Sequence, residues 1–289
     1  MIDYVSLKAE VFDFFKNVLE RDYRRILNSS DTQNIKAQLL NRAVERALHE
    51  VQQDMLVKYR HISKQKLYML IQYCFTVVSL EYRHSVWPYE YMAFSRRNGE
   101  LWERFCKTAW DYSEKHTLYR INPPSFNNIR DSFYQNLKQY QLTNEQLALI
   151  TRDLDGIFDL VGDINMVEDE MFNLHGQNHI IDFKSGFGSN EKGNTLRLLA
   201  VGRAYKIWDP NVELLFLVRQ NENNNYLELI KRSNIWNVFC GIDAYSKIDQ
   251  LTDSGILEIR HHAIDFQCDF SEDFWSYLLE NNLVRYLTW

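Results

Sequence analysis

Residues 212–218 form a seven-residue segment that is apolar except for one glutamate and follows Asp209-Pro210. A short apolar run that begins behind turn residues is typical of a strand buried on both faces of a sheet. Turn residues are scarce elsewhere, with only 10 glycines and 4 prolines among 289 residues, which disfavours a turn-rich all-β fold. We therefore predict an α-rich α/β protein with a modest sheet flanked by helices.

The first part of the chain has the pattern of long helices. Apolar residues follow helical spacing from Val11 and again from Leu40, where a Ser-Ser-Asp capping signal precedes them. A third helix, apolar on most sides, is predicted over about 66–82, and a fourth begins near residue 98. We predict a helical N-terminal region at residues 1–95 and a second domain at residues 96–289.

The second domain is predicted to contain the sheet. An Asn-Pro-Pro-Ser break at 122–125 precedes helical patterns at about 126–140 and 144–160. Short strands are then predicted at about 161–165, 170–174 and 179–184, with a turn at 175–178. A glycine-containing loop at 185–194 leads into a helix at 195–208, and helices at about 235–251 and 271–287 follow the apolar strand.

Composition and spacing weigh against several classes of protein. The longest apolar run, 67–80, is about 14 residues, shorter than the roughly 20 that span a bilayer, and the first residues do not resemble a signal peptide. We therefore expect a cytoplasmic protein without a membrane partner. The four cysteines lie too far apart for a zinc or redox motif. His175 and His179 lie on either side of a turn, where their spacing does not align two ligands, so zinc is disfavoured.

Charge is distributed unevenly along the chain, although the formal net charge is only −6. Residues 1–116 carry 18 basic and 15 acidic side chains, whereas the remainder carries 15 basic and 24 acidic ones. Seven acids and no base lie between Asp153 and Glu170, and five bases lie between Lys184 and Lys206. Carboxylates that bind a cation next to bases that bind phosphate produce such a pattern.

Asp182 and Lys184 form the only acid-x-Lys triplet in the chain and lie at the end of a predicted apolar strand. Because side chains alternate along a strand, both project from the same face. Asp163 lies 19 residues upstream on another predicted strand, where a hairpin-like connection would bring it beside Asp182. Two carboxylates suit a hard cation such as Mg²⁺, and a lysine can orient the attacking water. The alternative is an exposed ion pair between Asp182 and Lys184, with Asp163 in a turn.

These residues resemble the catalytic motif of the PD-(D/E)xK nuclease superfamily, whose core runs helix, three strands, helix, strand. The resemblance covers about residues 96–218 and rests on Gly162-Asp163-Ile164 and on Ile181-Asp182-Phe183-Lys184. It implies a restriction-endonuclease-like core with a central mixed sheet flanked by helices. Gly162 replaces the proline of the family motif, and Asp159 and Asp155 are the alternatives to Asp163.

The resemblance also implies catalytic roles and a cofactor. Asp163, Asp182 and the Phe183 carbonyl would hold Mg²⁺, for which Mn²⁺ can substitute, and Lys184 would position water for phosphodiester hydrolysis to 5′-phosphate ends. A further glutamate often comes from the helix before the sheet, where we choose Glu103 over Glu100.

The loop at 185–194 and the following helix supply candidate DNA contacts. Its glycines fit neither common nucleotide-binding pattern, so no nucleotide cofactor is expected. Close approach of the backbone to a DNA phosphate suits the loop better. The residues expected to contact DNA are Ser189, Asn190, Lys192, Asn194 and Arg197.

The leading hypothesis is a bacterial type II restriction endonuclease that cuts double-stranded DNA in a sequence-specific, Mg²⁺-dependent way. A homodimer would match a palindromic target, with the N-terminal helices serving dimerisation or DNA recognition. The alternatives are a repair, recombination or phage-defence nuclease on the same fold, and a DNA-binding protein without catalysis.

Overall fold

The computed structural model describes residues 2–162, 166–186, 192–221 and 225–289, with the side chains of residues 160 and 161 left aside. The described elements follow one another in the order α1 (Tyr4–Leu27), α2 (Gln33–Lys58), α3 (Lys64–Val86), α4 (Tyr91–Asp111), β1 (Leu118–Arg120), α5 (Phe126–Leu137), α6 (Asn144–Val161), β2 (Glu170–Leu174), β3 (Gln177–Lys184), α7 (Lys192–Trp208), β4 (Glu213–Val218), α8 (Asn225–Ser233), β5 (Asn237–Cys240), α9 (Ile242–Thr252), α10 (Ile256–His262), α11 (Phe266–Asp269) and α12 (Glu272–Glu280), and a 3₁₀ turn (Val284–Tyr286) ends the series. The chain is thus an α-rich α/β protein, as its composition predicts.

The chain divides into two compact units, which we call the helical unit and the sheet unit. The helical unit combines Met1–Lys115 with Gly241–Trp289, and the sheet unit is the continuous segment His116–Cys240. This division differs from the expected boundary between residues 1–95 and 96–289. The reason is that the C-terminal helices pack with the N-terminal ones, as when Lys8 and Tyr73 both bond to Asp269.

In the helical unit, α3 is the central element. It packs with α1, α2, α4 and α10, and nearly every residue from Leu67 to Leu80 is buried. The helix ends at Val86, before Trp87-Pro88, as the restriction on residues preceding proline predicts. Within the described residues, no helix combines the length and hydropathy needed to cross a membrane.

Over its described residues, the sheet unit contains one mixed sheet of five strands in the order β1-β2-β3-β4-β5. The pairs β1–β2 and β2–β3 are antiparallel, whereas β3–β4 and β4–β5 are parallel. Residues 214–218 of β4 are buried on both faces, which confirms the prediction made from its apolar run. Because each of β3 and β4 has a neighbouring strand on both sides, both are interior strands of the sheet, and α7 lies between them in the chain.

One face of the sheet packs against α5, α7 and α8. Ile180, Leu214 and Phe216 lie in this core with Leu198 and Tyr205 of α7. Because Ile180 faces α7, the alternation along β3 directs Asp182 and Lys184 to the same side. The sheet thus brings the end of β3 against the first turns of α7.

The structure corrects several predicted elements. Residue 161 lies in α6 instead of starting a strand, and residues 163–165 lie outside the described residues. The helix predicted over 235–251 is interrupted, because residues 237–240 form β5 and α9 begins only after Gly241. The fourth helix begins at Tyr91 instead of near residue 98.

Candidate functional site

A tight hairpin determines which acid lies beside Asp182. His175 and Gly176 connect β2 to β3 and both have positive φ, 53° and 86°, as a two-residue type I′ turn requires. The pairing of β2 with β3 therefore begins with Leu174 opposite Gln177 and ends with Glu170 opposite Ile181. Asp169 and Asp182 are the next residues of the two segments beyond this last pair.

Asp169 is also bonded to the end of β3. Its Oδ2 accepts a hydrogen bond from the backbone N–H of Phe183 at 2.7 Å. This bond fixes the Asp169 carboxylate next to the acid-x-Lys triplet, so the side chain of Asp169 extends the hairpin beyond the last backbone pair.

Asp182 is buried, with only 3% of its surface exposed. Its Oδ2 accepts a hydrogen bond from Arg197 Nη2 at 2.7 Å, whereas Oδ1 is buried without a hydrogen-bond partner among the described residues. Burial raises the pKa of Asp182 well above its usual range, and the neighbouring carboxylates of Glu168 and Asp169 act in the same direction. The charge of Lys184 opposes this shift.

Glu168 is the third acid of the group, which we call the acidic cluster: Glu168, Asp169 and Asp182. Its side chain is 2% exposed and forms a two-pronged ion pair with Arg197, at 2.8 Å from Nη1 and 3.3 Å from Nη2. Arg197 thus bridges Glu168 and Asp182 while 39% of its own side chain stays exposed.

Lys184 lies at the end of β3 and is half-buried. Its carbonyl accepts the backbone N–H of Arg219 at 2.8 Å, which fixes its backbone next to β4. Among the described residues, no carboxylate lies within salt-bridge distance of the Lys184 ammonium. A cation on the same strand face as Asp182 therefore keeps its charge available for a ligand.

Glu170 has a structural role beside this cluster. It forms a bidentate ion pair with Arg120 of β1, at 3.0 Å from Nε and 2.6 Å from Nη2. Its place in the register pairs it with Ile181, so it lies on the sheet face opposite to Asp182. Glu170 thereby holds the short strand β1 against β2.

The expected first acid, Asp163, lies outside the described residues, as do Ser189 and Asn190. The alternatives Asp155 and Asp159 are exposed on α6, where Tyr134 bonds to Asp155. Glu103 belongs to α4 of the helical unit and pairs with Lys107 at 2.6 Å. Asp182 and Lys184 are thus joined by Glu168 and Asp169, which the sequence interpretation missed.

The expected DNA contacts at the start of α7 have different environments. Lys192 is exposed and Asn194 is partly exposed in the first turn of the helix. Arg197 is bound to the acidic cluster instead of lying on a solvated face. Phe183 contributes its backbone N–H to Asp169.

The acidic cluster has the type of ligand that the Mg²⁺ ion implied by the resemblance requires. Carboxylate oxygens are the ligands that Mg²⁺ prefers, and one or two protein carboxylates completed by water and substrate phosphate suffice. Asp182 Oδ1 is a buried acceptor that a cation would satisfy. Within the described residues, no group of three or more His, Cys, Asp or Glu side chains is arranged to hold a metal. The cluster therefore fits a two-carboxylate ion and not a metal cage made of protein ligands alone.

Comparisons with models of known protein families, with curated proteins and with solved structures found no match to this chain.

Proposed function

We propose that this protein is a Mg²⁺-dependent endodeoxyribonuclease of the PD-(D/E)xK type, in which Asp169 takes the position expected for Asp163. The observation that carries the proposal is the hairpin register, whose last pair is Glu170 and Ile181, so that Asp169 and Asp182 are the next residues of the two chain segments. The bond from the Phe183 N–H to Asp169 Oδ2 keeps this carboxylate at the end of β3, where Lys184 follows two residues after Asp182. The element order supports it as well, because β1, β2 and β3 are followed by α7 and β4, with α5 and α6 inserted after β1.

Each residue has a role in this proposal. Asp169 and Asp182 would hold the ion, which supplies a Lewis acid for the scissile phosphate and lowers the pKa of a bound water. Lys184 would orient the attacking water and stabilise the charge that develops on the phosphate. Glu168 holds Arg197 in the acidic cluster, where its guanidinium would contact an oxygen of the scissile phosphate.

We further propose double-stranded DNA as the substrate, with sequence-specific cleavage by a homodimer as in type II restriction enzymes. The first turn of α7 supports a phosphate contact, because the exposed Lys192 and the partly exposed Asn194 lie at the positive end of the helix dipole. A repair, recombination or phage-defence nuclease would use the same residues on a DNA structure instead of a sequence.

A second function is favoured by Arg197. The guanidinium of Arg197 pairs with both Glu168 and Asp182 and so supplies positive charge to these acids without a metal ion. This arrangement is expected in a DNA-binding protein that kept the fold without catalysis. The two functions differ in one observable, namely whether DNA is cut or only bound in the presence of Mg²⁺.

The test is incubation of long unmethylated phage DNA with the purified protein and Mg²⁺ or Mn²⁺, with EDTA as a control. Discrete fragments are expected, and Asp182→Asn, Asp169→Asn and Lys184→Met are each expected to lower the cleavage rate by at least about 100-fold. Asp155→Asn is the matched control, because it removes an exposed carboxylate of the same unit.

Other outcomes separate the alternatives. A smear of fragments would indicate a nuclease without sequence preference. Intact DNA with a mobility shift in Mg²⁺ would support the DNA-binding protein and overturn the nuclease proposal. Cleavage that survives Asp182→Asn would show that the acidic cluster is not the catalytic site.

A further inference from the structure

The helical unit contains a cleft of about 380 Å³ that is lined by α2, the α3 end, the following loop and α4. Its polar lining consists of three arginines, one glutamate, one asparagine and one tyrosine: Arg83, Arg96, Arg97, Glu100, Asn41 and Tyr89. None of these residues belongs to the acidic cluster. We call this site the arginine cleft.

Positive charge exceeds negative charge in the arginine cleft. Glu100 is its one acid and pairs with Arg96 at 3.0 Å and with Arg97 at 3.5 Å. Three guanidinium groups and one carboxylate leave a formal charge of +2. Uncompensated cations that are partly withdrawn from water favour an anionic ligand.

Arg83 carries half of the excess charge. Among the described residues it has no carboxylate partner; its Nη1 donates to the Trp87 carbonyl, and its guanidinium lies 4.2 Å from the centre of the Tyr89 ring. Burial and the charge of Arg97 lower the pKa of Arg83. Arg97 is held by Ser79, to which its Nη2 donates at 3.0 Å.

Tyr89 provides a second and independent observation. Its residue surface is 3% exposed, and its hydroxyl is buried without a hydrogen-bond partner among the described residues. Burial raises the pKa of Tyr89 to about 12 against the charges of Arg83 and Arg97, so the hydroxyl is a proton donor at neutral pH. A buried donor without an acceptor is costly, and an anion in the cleft would accept its hydrogen bond.

The position of Tyr89 is fixed before any ligand arrives. Its backbone N–H donates to His84 Nδ1 at 3.3 Å, and its carbonyl accepts the Tyr277 hydroxyl at 2.7 Å. Its ring packs edge-on against Phe94, with 5.4 Å between centroids. The unpartnered hydroxyl therefore belongs to a rigid, preorganised loop.

We propose that the arginine cleft binds a phosphate monoester, held by the guanidinium groups of Arg83 and Arg97 and by the hydroxyl of Tyr89. The formal charge of +2 matches the dianion of a monoester and exceeds the single charge of a phosphodiester. A guanidinium group can donate two parallel hydrogen bonds to two phosphate oxygens, and the cleft volume of about 380 Å³ suits a small ligand of this class.

A phosphate monoester of this kind has two sources, a free nucleoside 5′-monophosphate and the 5′-phosphorylated end of a DNA strand. The proposal is independent of the proposed nuclease activity.

The test is calorimetric titration of the full chain with inorganic phosphate, a nucleoside 5′-monophosphate and the unphosphorylated nucleoside. The two phosphates are expected to bind with 1:1 stoichiometry and the nucleoside is not. Tyr89→Phe is the decisive variant, because it removes a hydroxyl that has no hydrogen-bond partner in the described part of the chain. It is expected to leave the Tm unchanged or higher and to weaken phosphate binding by about tenfold or more.

Two further variants complete the design. Arg97→Gln is expected to weaken binding by a similar or larger factor. Arg25→Gln removes a guanidinium of the same unit that is 70% exposed, and it is expected to leave affinity unchanged. Duplexes with and without a 5′-phosphate then identify the source: tighter binding of the phosphorylated end supports a DNA end, and equal binding of both with retained affinity for the mononucleotide supports a free nucleotide.

Several results would overturn the proposal. One is no binding of phosphate or monophosphate up to about 10 mM, a range that covers weak small-ligand affinities. Another is binding that is unchanged in both Tyr89→Phe and Arg97→Gln. A third is equal binding of unphosphorylated DNA that Tyr89→Phe does not affect, which would indicate a non-specific electrostatic surface.

Discussion

The buried acids of the acidic cluster have two possible partners, the guanidinium of Arg197 and a metal ion. Among the described residues, Asp182 has one oxygen bound to Arg197 and one oxygen without a partner, so its burial is compensated only in part. Arg197 satisfies Glu168 as well and thereby occupies the space between two acids. A metal ion at Asp182 therefore competes with this guanidinium for the charge of the buried carboxylates.

Arg197→Gln tests that competition. We expect the metal-free variant to lose about 1–3 kcal/mol of unfolding free energy, because two buried carboxylates lose their ion pair, while the exposure of Arg197 moderates the loss. We also expect Mn²⁺ to raise the Tm of the variant more than that of the natural protein. Thermal melts with and without MnCl₂ measure both effects.

Arg203→Gln is the control for this experiment, since Arg203 is exposed on the same helix. It should change neither the Tm nor the response to Mn²⁺. An Mn²⁺ response in Arg197→Gln that is equal to or smaller than that of the natural protein would contradict the competition.

His84 provides a pH-dependent effect in the helical unit. Its ring lies 4.5 Å from the Phe274 ring and 4.3 Å from the Tyr277 ring, and burial together with the charge of Arg83 lowers its pKa from 6.5 to about 4. Above pH 6.5 the imidazole is neutral in both states. Between pH 6.5 and 4 the unfolded state binds a proton that the folded state does not, so stability falls as the pH falls.

We therefore expect the natural protein to lose about 1–3 kcal/mol more unfolding free energy than His84→Gln between pH 7 and pH 4. Urea titrations of both proteins at several pH values measure the difference. Because carboxylates titrate in the same interval, only the difference between the two proteins reports on His84. Parallel pH profiles would show that the imidazole titrates normally.

At the scale of elements, close packing of α7 decides the geometry of the sheet unit. A Cβ atom on Gly202 would lie 2.5 Å from Trp236 Nε1 and 2.6 Å from a methyl group of Ile235. Trp236 cannot move freely, because its Nε1 donates to the Leu198 carbonyl at 2.7 Å. Gly202 therefore lets α7, which carries Arg197, approach the segment before β5.

Gly202→Ala is expected to lower the free energy of unfolding by about 1–2 kcal/mol, because overpacking outweighs the gain in helix propensity. Gly156→Ala on α6 is the matched control, since nothing lies within 4 Å of its added methyl group. That control should gain about 0.5–1 kcal/mol. Chemical denaturation measures both, and a stabilised Gly202→Ala variant would refute the packing argument.

Regular elements with strong periodicity were predictable, whereas short ones were not. Helical spacing and the apolar run of β4 have clear sequence patterns, and the end of α3 follows from Pro88. Strand β1 has three largely exposed residues, too few for an alternating pattern. Strand β5 merges with the helical pattern of α9, and only Gly241 separates them.

The candidate site was predictable to the same extent. The side of β3 shared by Asp182 and Lys184 follows from strand alternation, and the structure confirms it. The partner acids depend on the hairpin register, which a four-residue turn at 175–178 would shift. A two-residue turn at His175-Gly176 leads by counting from Asp182 back to Asp169. The sequence feature that identifies Asp169 is therefore the two-residue turn, and not a motif of acidic residues.

At the scale of the whole molecule, the helical unit is assembled from both ends of the chain. Asp269 accepts bonds from Lys8 at 2.8 Å and from the Tyr73 hydroxyl at 2.5 Å, and only 7% of its side chain is exposed. Burial raises the pKa of Asp269 against the effects of Lys8 and Tyr73. These bonds join segments that are far apart in sequence.

Asp269→Asn is expected to lower the unfolding free energy by about 2–4 kcal/mol, because the buried ammonium of Lys8 loses its counter-charge. Asp273→Asn, at an exposed position of the neighbouring helix, should stay within about 0.5 kcal/mol of the natural protein. Urea denaturation followed by circular dichroism compares them. Equal stability of the two variants would show that the Lys8 pair contributes nothing.

The two-ended construction of the helical unit has a consequence during protein synthesis. Lys8 leaves the ribosome 261 residues before Asp269, an interval of roughly 10–50 s at ordinary elongation rates. The sheet unit is continuous and is complete by residue 240, so it can fold while α1–α4 still lack their C-terminal partners. The N-terminal helices of this unit are therefore made well before their C-terminal partners, and in that interval nascent chains depend most on protection from aggregation.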